Sequence, residues 1–537
     1  MAESELTFLL RRARVFDGTG TTPTVADVGI AGDRVAFVGD AEGATAHETM
    51  DCDGLALAPG FIDIHGHSDS LLLAAPHAES KVLQGITTEV GGNCGTSPGP
   101  MVDDVRAEAE VALGEFGLSV NWESLGEFLD LLAQGGIGLN FACLVGHSNV
   151  RAAAIGYGPQ SATRSQVKEM QRLVIAAIRD GAVGVSSGLI YPPGIAANAE
   201  EIGEVCKPAA ESGGYYATHM RNEGAQLLES VGEALEVGRR SGCAVQISHH
   251  KVCGEANWGL VEHSLALVDF ARRTGMDVTL DQYPYTATST SLCVLLPDWA
   301  QEGGAEAAAA RLAEPATRQR VTRELGSKAR KEWERVRIAR VINEESRWAE
   351  GLTVVDVAQR LGIGEAEAVI DLIVRERGHV AMVRFAMCEG DVERVMKHKA
   401  VMFGTDAAAR ATTGPLALGK PHPRAFGAFP RVLGHYVRER KVLGLGAAIR
   451  KMTFLPARRL GLTDRGVLRR GVYADLVLFD PDTIADRATY DDPIQPPVGI
   501  KGVWVNGRIV ARDGALTGAL PGRILRGKQR NPSLGAV

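Results

Sequence analysis

The sequence predicts an α/β protein: a (β/α)8, TIM-like barrel joined to a small β-sandwich domain that both chain ends build. Three observations carry this expectation. Short apolar runs rich in β-branched residues recur eight times through the middle of the chain, separated by helical Ala/Leu/Glu/Arg stretches. Hairpin-like segments with Gly, Asp and Asn turns occupy both ends. Seven of the eight runs also finish in residues able to bind metal or move protons, as expected where strand ends meet at one mouth.

Taken in order, residues 1–58 alternate short β-like runs with turns, as in "VADVGIAGDRVAFVGD", and form the first part of the small domain. Residues 59–455 hold the barrel. Its runs are "FIDIH" (61–65), "GITTEVGGNC" (85–94), "GLNFACLVGH" (138–147) and "AVGVSSGLIY" (182–191), then "YYATHM" (215–220), "AVQISHH" (244–250), "DVTLDQYPY" (277–285) and "AVMFGTDA" (400–407). The connection before the last run is far longer than a usual crossover, and the sequence predicts a helical insertion at about 288–350 that lies over the mouth as a lid. Its charged stretch "TRQRVTRELGSKARKEWERV" reads as a solvated helical face in preference to a nucleic-acid patch. Residues 456–537 return to β patterns, with the Asn-Gly hairpin signal in "VNGR".

A chain of 537 residues is too long for one ordinary core, which suits a large and a small domain. A formal net charge of -7 speaks against nucleic acid or an anionic membrane as partner, and no apolar stretch reaches the roughly 20 residues a spanning helix needs. The opening "MAESELTFLLRRARVFDG" does not read as a signal peptide, and eight scattered cysteines suit free thiols in a reducing cytoplasm. An oligomer stays compatible with all of this.

The strand ends carry the chemistry. His65 and His67 flank one glycine, so on an extended strand they share a side and suit one metal or a close pair. Cys94 sits in the glycine-rich turn "GGNCGTSP", where a thiolate ligand to zinc fits, although a lone cysteine is more often a small buried thiol. His219 and His249 end two later runs and complete a Cys/His/His set with an open fourth position. His250 follows directly and, by alternation, points away. Asp406 could exchange a proton with water or cap a following helix. Lys251, Tyr283 and Ser289 could hold a substrate carboxylate, or serve as surface charge, core aromatic and turn residue. "GKPHPRAFGAFPR" (419–431) packs Lys420, His422, Arg424 and Arg431 among prolines, as a rigid loop at the site or a connector.

These residues fall in a familiar order. "PGFIDIHGHSD", "GGNCGTSP", "LVGHSNVR", "GVSSGLIYPPG", "ATHMRNE", "ISHHKVCG", "DQYPYT", "FGTDA" and "KPHPRAFGAFPRVLGHY" resemble the motifs of N-acyl-D-amino-acid deacylases of the amidohydrolase superfamily. The resemblance runs end to end, through "ADLVLFDP" and "VWVNGR". It implies one tightly bound Zn2+ on Cys94, His219 and His249, with His249 chosen because the first histidine of the related Ser-His-Leu-Lys motif is the constant one. It further implies a weaker second metal position at His65 and His67, Asp406 as catalytic acid/base, and Lys251, Tyr283 and Ser289 on the α-carboxylate of a small N-acyl amino acid. Zinc would polarise the amide carbonyl and acidify water, with Asp406 carrying the proton to the leaving amine. The loop "AARATTGPLALGK" (408–420) is small and apolar and is expected to line the side-chain pocket, which favours uncharged or hydrophobic D-amino acids. Two rivals are a cyclic-amide hydrolase, disfavoured by the absence of a lysine in "AVGVSSGLIY", and a non-catalytic scaffold, disfavoured by the full ligand set.

Overall fold

The computed structural model describes residues 5–527. All eight apolar runs are strands: Phe61–Asp63, Ile86–Gly91, Asn140–Cys143 continued by Val145–Gly146, Gly184–Gly188, Tyr215–His219, Ala244–Ile247, Val278–Gln282 and Val401–Phe403. Each pairs in parallel with the next. Strands eight and one meet just beyond their ends. Gly66 and Ala407 form a parallel bridge, and the Asp406 N–H donates to His65 O at 2.8 Å. Helices cover the outer face, so both sheet faces are buried and the strands read as continuous apolar runs.

The seam between strands three and four is filled from far away in sequence. Phe141 N–H donates to Arg523 O, Leu525 N–H donates to Phe141 O, and Gly527 N–H reaches Gly181 O. Strand three therefore pairs with the C-terminal tail below Leu144 and with strand four above it. A buried polar network fastens the same region. Asn140 Nδ2 donates to Asp475 Oδ2 at 3.0 Å, Asn506 Nδ2 donates to Asn140 Oδ1 at 2.8 Å, and Arg465 pairs with Asp475.

The chain ends do build one small β domain. Leu476–Phe479 lies antiparallel to Ala56–Pro59, joining five N-terminal strands to four C-terminal ones in one nine-stranded set. Leu10, Val28, Ile30, Leu57, Leu478 and Trp504 lie in its own apolar core. The hairpin turn falls where the Asn-Gly signal put it, with Asn506 and Gly507 both at positive φ (47° and 77°).

The long connection differs from the expected helical insertion at 288–350. It runs through residues 287–385 and contains a three-stranded antiparallel sheet, Ala287–Ser291, Val336–Arg340 and Ala381–Phe385, beside its helices. These strands are five residues each and set among helix formers, so their alternation is masked in sequence. The excursion carries its own core, including Leu296, Trp333, Ile338 and Ile370. Among the described residues no helix is long and apolar enough to cross a membrane.

One buried cation ties the closing strands together. Lys81 is fully buried and donates to Asp63 Oδ2, Thr405 Oγ1 and Ala407 O, each at 2.7 Å, with Glu89 Oε1 at 3.4 Å. Glu89 in turn accepts from Ser68 N and Oγ. It also explains the glycine between the two histidines, because a Cβ on Gly66 would lie 2.0 Å from Glu89 Oε1. Removing the cation leaves the buried carboxylates of Asp63 and Glu89 without their counter-charge. Lys81→Met is expected to cost about 3–5 kcal/mol of stability, read as a lower urea midpoint.

Candidate active site

The strand ends turn sharply inward. Cys94, His249 and Asp406 all adopt the left-handed region, with φ of 53°, 34° and 49°. Such backbone costs on the order of 1–3 kcal/mol per residue and persists where the surroundings over-determine it. Here it aims three side chains at the barrel axis. Close packing enforces the turn at Cys94, whose carbonyl oxygen sits 2.1 Å from where a Cβ on Gly188 would be.

The sequence-predicted ligands meet on that axis. Cys94 Sγ lies 3.4 Å from His65 Nε2 and 3.5 Å from His249 Nε2, and His249 Nε2 lies 2.9 Å from His219 Nδ1. His67 Nε2 is 3.0 Å from Asp406 Oδ1, and His65 Nε2 is 3.5 Å from the same oxygen. The ligand atoms of His65, Cys94, His249 and Asp406 all lie within 4.8 Å of one another. His219 abuts this group through His249, and His67 through Asp406. His250 turns away to Ser264 Oγ at 2.8 Å, although the cause is the turn at His249 beyond the strand and not strand alternation.

A metal fits this set. Lone pairs on sulfur and imidazole nitrogen face each other in a buried space, an arrangement that repels unless a cation or proton lies between. Tetrahedral zinc would set sulfur–nitrogen separations of about 3.6 Å, close to those of Cys94. Burial raises the Cys94 thiol, but His65 and His249 overcome that penalty and hold it well below its ordinary range, as the thiolate ligand form requires. His219 Nε2 is buried without a hydrogen-bond partner.

Outer partners orient the rings. Asp281 Oδ1 lies 3.1 Å from His65 Nδ1 and accepts the His249 backbone N–H at 2.7 Å, while its Oδ2 accepts from Gln246. Glu223 Oε1 sits 3.0 Å from His249 Nδ1 and 2.6 Å from Lys251 Nζ. Partners of this kind fix which nitrogen faces a metal. Neither acid is obvious from sequence. Asp281 has one signal, a carboxylate inside the apolar run "DVTLDQ", and Glu223 closes the "ATHMRNE" motif.

Asp406 does not cap a helix, since the next helical turn begins only at Pro415. Arg424, on the proline-rich segment, reaches Asp406 Oδ2 at 2.7 Å. Burial opposes ionisation of Asp406, but Arg424 and the histidines override it and hold the carboxyl well below its usual range. "GKPHPRAFGAFPR" is thus part of the site. His422 braces it, accepting the Arg424 backbone N–H at 3.0 Å and contacting Ala287 O.

Above this floor opens a cavity of about 890 Å3, lined by His67, Cys94, His219, His249, Lys251 and Tyr283 on the barrel side and by Thr288, Ser289, Thr290, Met382 and Arg384 from the excursion. Lys251, Tyr283 and Ser289 all reach it, with the Lys251 ammonium 5.6 Å from the Tyr283 ring centroid. The excursion is therefore a wall of the cavity. The loop 408–420 contributes no lining residue. Ser80 N–H donates to Arg410 O, Arg410 N–H donates to Ser80 Oγ and Lys420 N–H donates to Ala339 O, so the loop is tied to the buried Ser80 and Ala339 and lies away from the cavity lining expected of it. At the strand-four position of the cyclic-amide rival stand Ser186 and Ser187, bonded to Gly92 O and Thr218 Oγ1.

The chain is similar to known proteins in both sequence and structure. A model described as the Amidohydrolase family matches residues 48–511. The chain is 38% identical to the D-aminoacylase of Alcaligenes xylosoxydans xylosoxydans over 517 residues, 96% of this chain and 97% of that protein. It is 38% identical to the N-acyl-D-glutamate deacylase of the same organism over 532 residues, 98% and 97% of the two chains. Among solved structures, the N-acyl-D-glutamate deacylase from Bordetella bronchiseptica, complexed with zinc and a phosphonate inhibitor that mimics the reaction's tetrahedral intermediate, matches with a TM-score of 0.82 at 35% identity, covering 97% of this chain and 100% of that one.

Proposed function

This chain belongs to the amidohydrolase family and stands with its N-acyl-D-amino-acid deacylases, and we infer that it hydrolyses the amide bond of N-acyl-D-amino acids to a carboxylic acid and a free D-amino acid. The observation that carries the reading is the cluster of His65, Cys94, His249 and Asp406, with His219 and His67 beside it, at the base of one cavity. Cys94, His219 and His249 would hold one zinc ion tightly, and His65 and His67 would form a weaker second position. When bound, zinc supplies Lewis-acid polarisation of the amide carbonyl and acidifies water.

The chain's own residues do the rest. Asp406, ionised and held by His67 and Arg424, takes a proton from the attacking water and delivers it to the amine nitrogen as the C–N bond breaks. Lys251, Tyr283 and Ser289 orient the α-carboxylate, which turns a collision into a positioned encounter. Lys251 is already bonded to Glu223, so its ammonium is fixed in place before substrate arrives. All eight cysteines are free, which suits a reducing cytoplasm.

The test is hydrolysis of paired N-acetyl-D- and N-acetyl-L-amino acids by metal-analysed protein. Turnover confined to the D series, with about one tightly held zinc per chain, is the expected outcome. Equal turnover of both series, or turnover of cyclic amides alone, would overturn it.

A further inference from the structure

Four cationic side chains line the cavity, and three are answered within the protein. Arg221 pairs with Glu233, Lys251 with Glu223 and Arg424 with Asp406. Arg384 is the fourth. Its half-buried guanidinium faces the cavity and, among the described residues, makes neither a hydrogen bond nor an ion pair.

Its setting is deliberate in a physical sense. Arg384 sits on the excursion strand Ala381–Phe385, in register with Thr288, so it shares a wall with Met382 and the hydroxyls of Thr288 and Thr290. This wall belongs to the excursion, whereas Lys251 and Tyr283 sit at barrel strand ends. Lys328 lies near enough to sense Arg384. Burial and this like charge together lower its ammonium below the ordinary range. Glu332 offsets part of that charge at Lys328 and Asp298 also lines the cavity, but among the described residues no carboxylate pairs with Arg384 itself, so its charge stays unanswered on this wall. An apolar substrate side chain there would strip water from the guanidinium and return nothing, which is a standing penalty. A carboxylate would answer it with paired N–H···O bonds.

We propose that Arg384 receives a carboxylate at the end of the substrate's side chain, so that the enzyme prefers acidic D-amino acids, the N-acyl-D-aspartate and N-acyl-D-glutamate class, over apolar ones. The proposal rests on the deacylase reading of this cavity and reverses the apolar preference expected from the loop 408–420.

The experiment compares kcat and KM for N-acetyl-D-glutamate, N-acetyl-D-aspartate and N-acetyl-D-leucine in the full-length zinc enzyme and in Arg384→Met. The wild type should favour an acidic substrate. Arg384→Met should lower kcat/KM for that substrate by about 100-fold, mostly through KM, and collapse the acidic-to-leucine ratio. Arg384→Lys should restore part of the ratio, which a merely structural role would not produce. Calorimetric titration of D-glutamate and D-leucine into each protein gives a second readout, with D-glutamate binding alone lost in Arg384→Met. Equal losses on all three substrates would assign Arg384 to the α-carboxylate and overturn the proposal, as would a wild type that prefers leucine. No turnover of any D substrate would instead bring down the deacylase reading, and this inference with it.

Discussion

Asp406→Asn lowers kcat by roughly a thousandfold while metal content stays at the wild-type level. The amide has the carboxylate's shape and can keep the contact with His67, 3.0 Å away. It cannot accept a proton at neutral pH, so it loses the transfer from water and the delivery to the leaving amine together. The backbone at this residue is set by bonds that asparagine retains, since Asp406 N–H donates to His65 O at 2.8 Å and asparagine tolerates a φ of 49°. A folded, metal-loaded, inactive protein is therefore the expected result, measured by single-turnover kinetics beside metal analysis. Activity within tenfold of wild type would reduce Asp406 to a structural anchor for Arg424.

Cys94→Ala separates metal binding from chemistry in the other direction. Sγ is the one sulfur in the cluster, close to both His65 and His249. Removing it should weaken zinc binding by more than about 100-fold, beyond what loss of an outer partner costs, and empty the tight site during dialysis against a competing chelator. Activity should fall in proportion to zinc lost and recover in part at high zinc. His67→Ala, on the Asp406 side of the cluster, should leave the tightly held ion in place. If Cys94→Ala keeps its full zinc under the chelator, the ion is held by His65, His249 and Asp406, and the division into tight and weak positions is reversed.

The barrel was legible because its strands end in residues that no core would choose. Runs such as "FIDIH" and "YYATH" are mostly apolar but end in a histidine, and that ending marks the mouth. The candidate ligands follow from it, and the structure brings His65, Cys94, His249 and Asp406 into one cluster, with His219 beside His249 and His67 beside Asp406. What stayed hidden has physical causes. Asp281 and Glu223 act through the rings they hold, and nothing local in sequence says which histidine a distant acid will face. Arg384 reaches the cavity only because the excursion folds a short sheet back over the mouth, and that sheet was masked by the helical stretches around it. The place of loop 408–420 after strand eight suggests a pocket lining, but its backbone is committed to the buried Ser80 and Ala339, away from the cavity.

The tail that fills the seam between strands three and four sets an order of events during synthesis. Phe141 leaves the ribosome hundreds of residues before Arg523 and Leu525, the partners of its free edge. Until those partners emerge, strands three and four face a gap at the base of the barrel, and Asn140 waits for Asp475 and Asn506. Contacts so distant in sequence form slowly, and an unpaired edge in the meantime invites misassociation. The barrel can assemble as the chain grows, but it is sealed only once residues 523–527 have emerged.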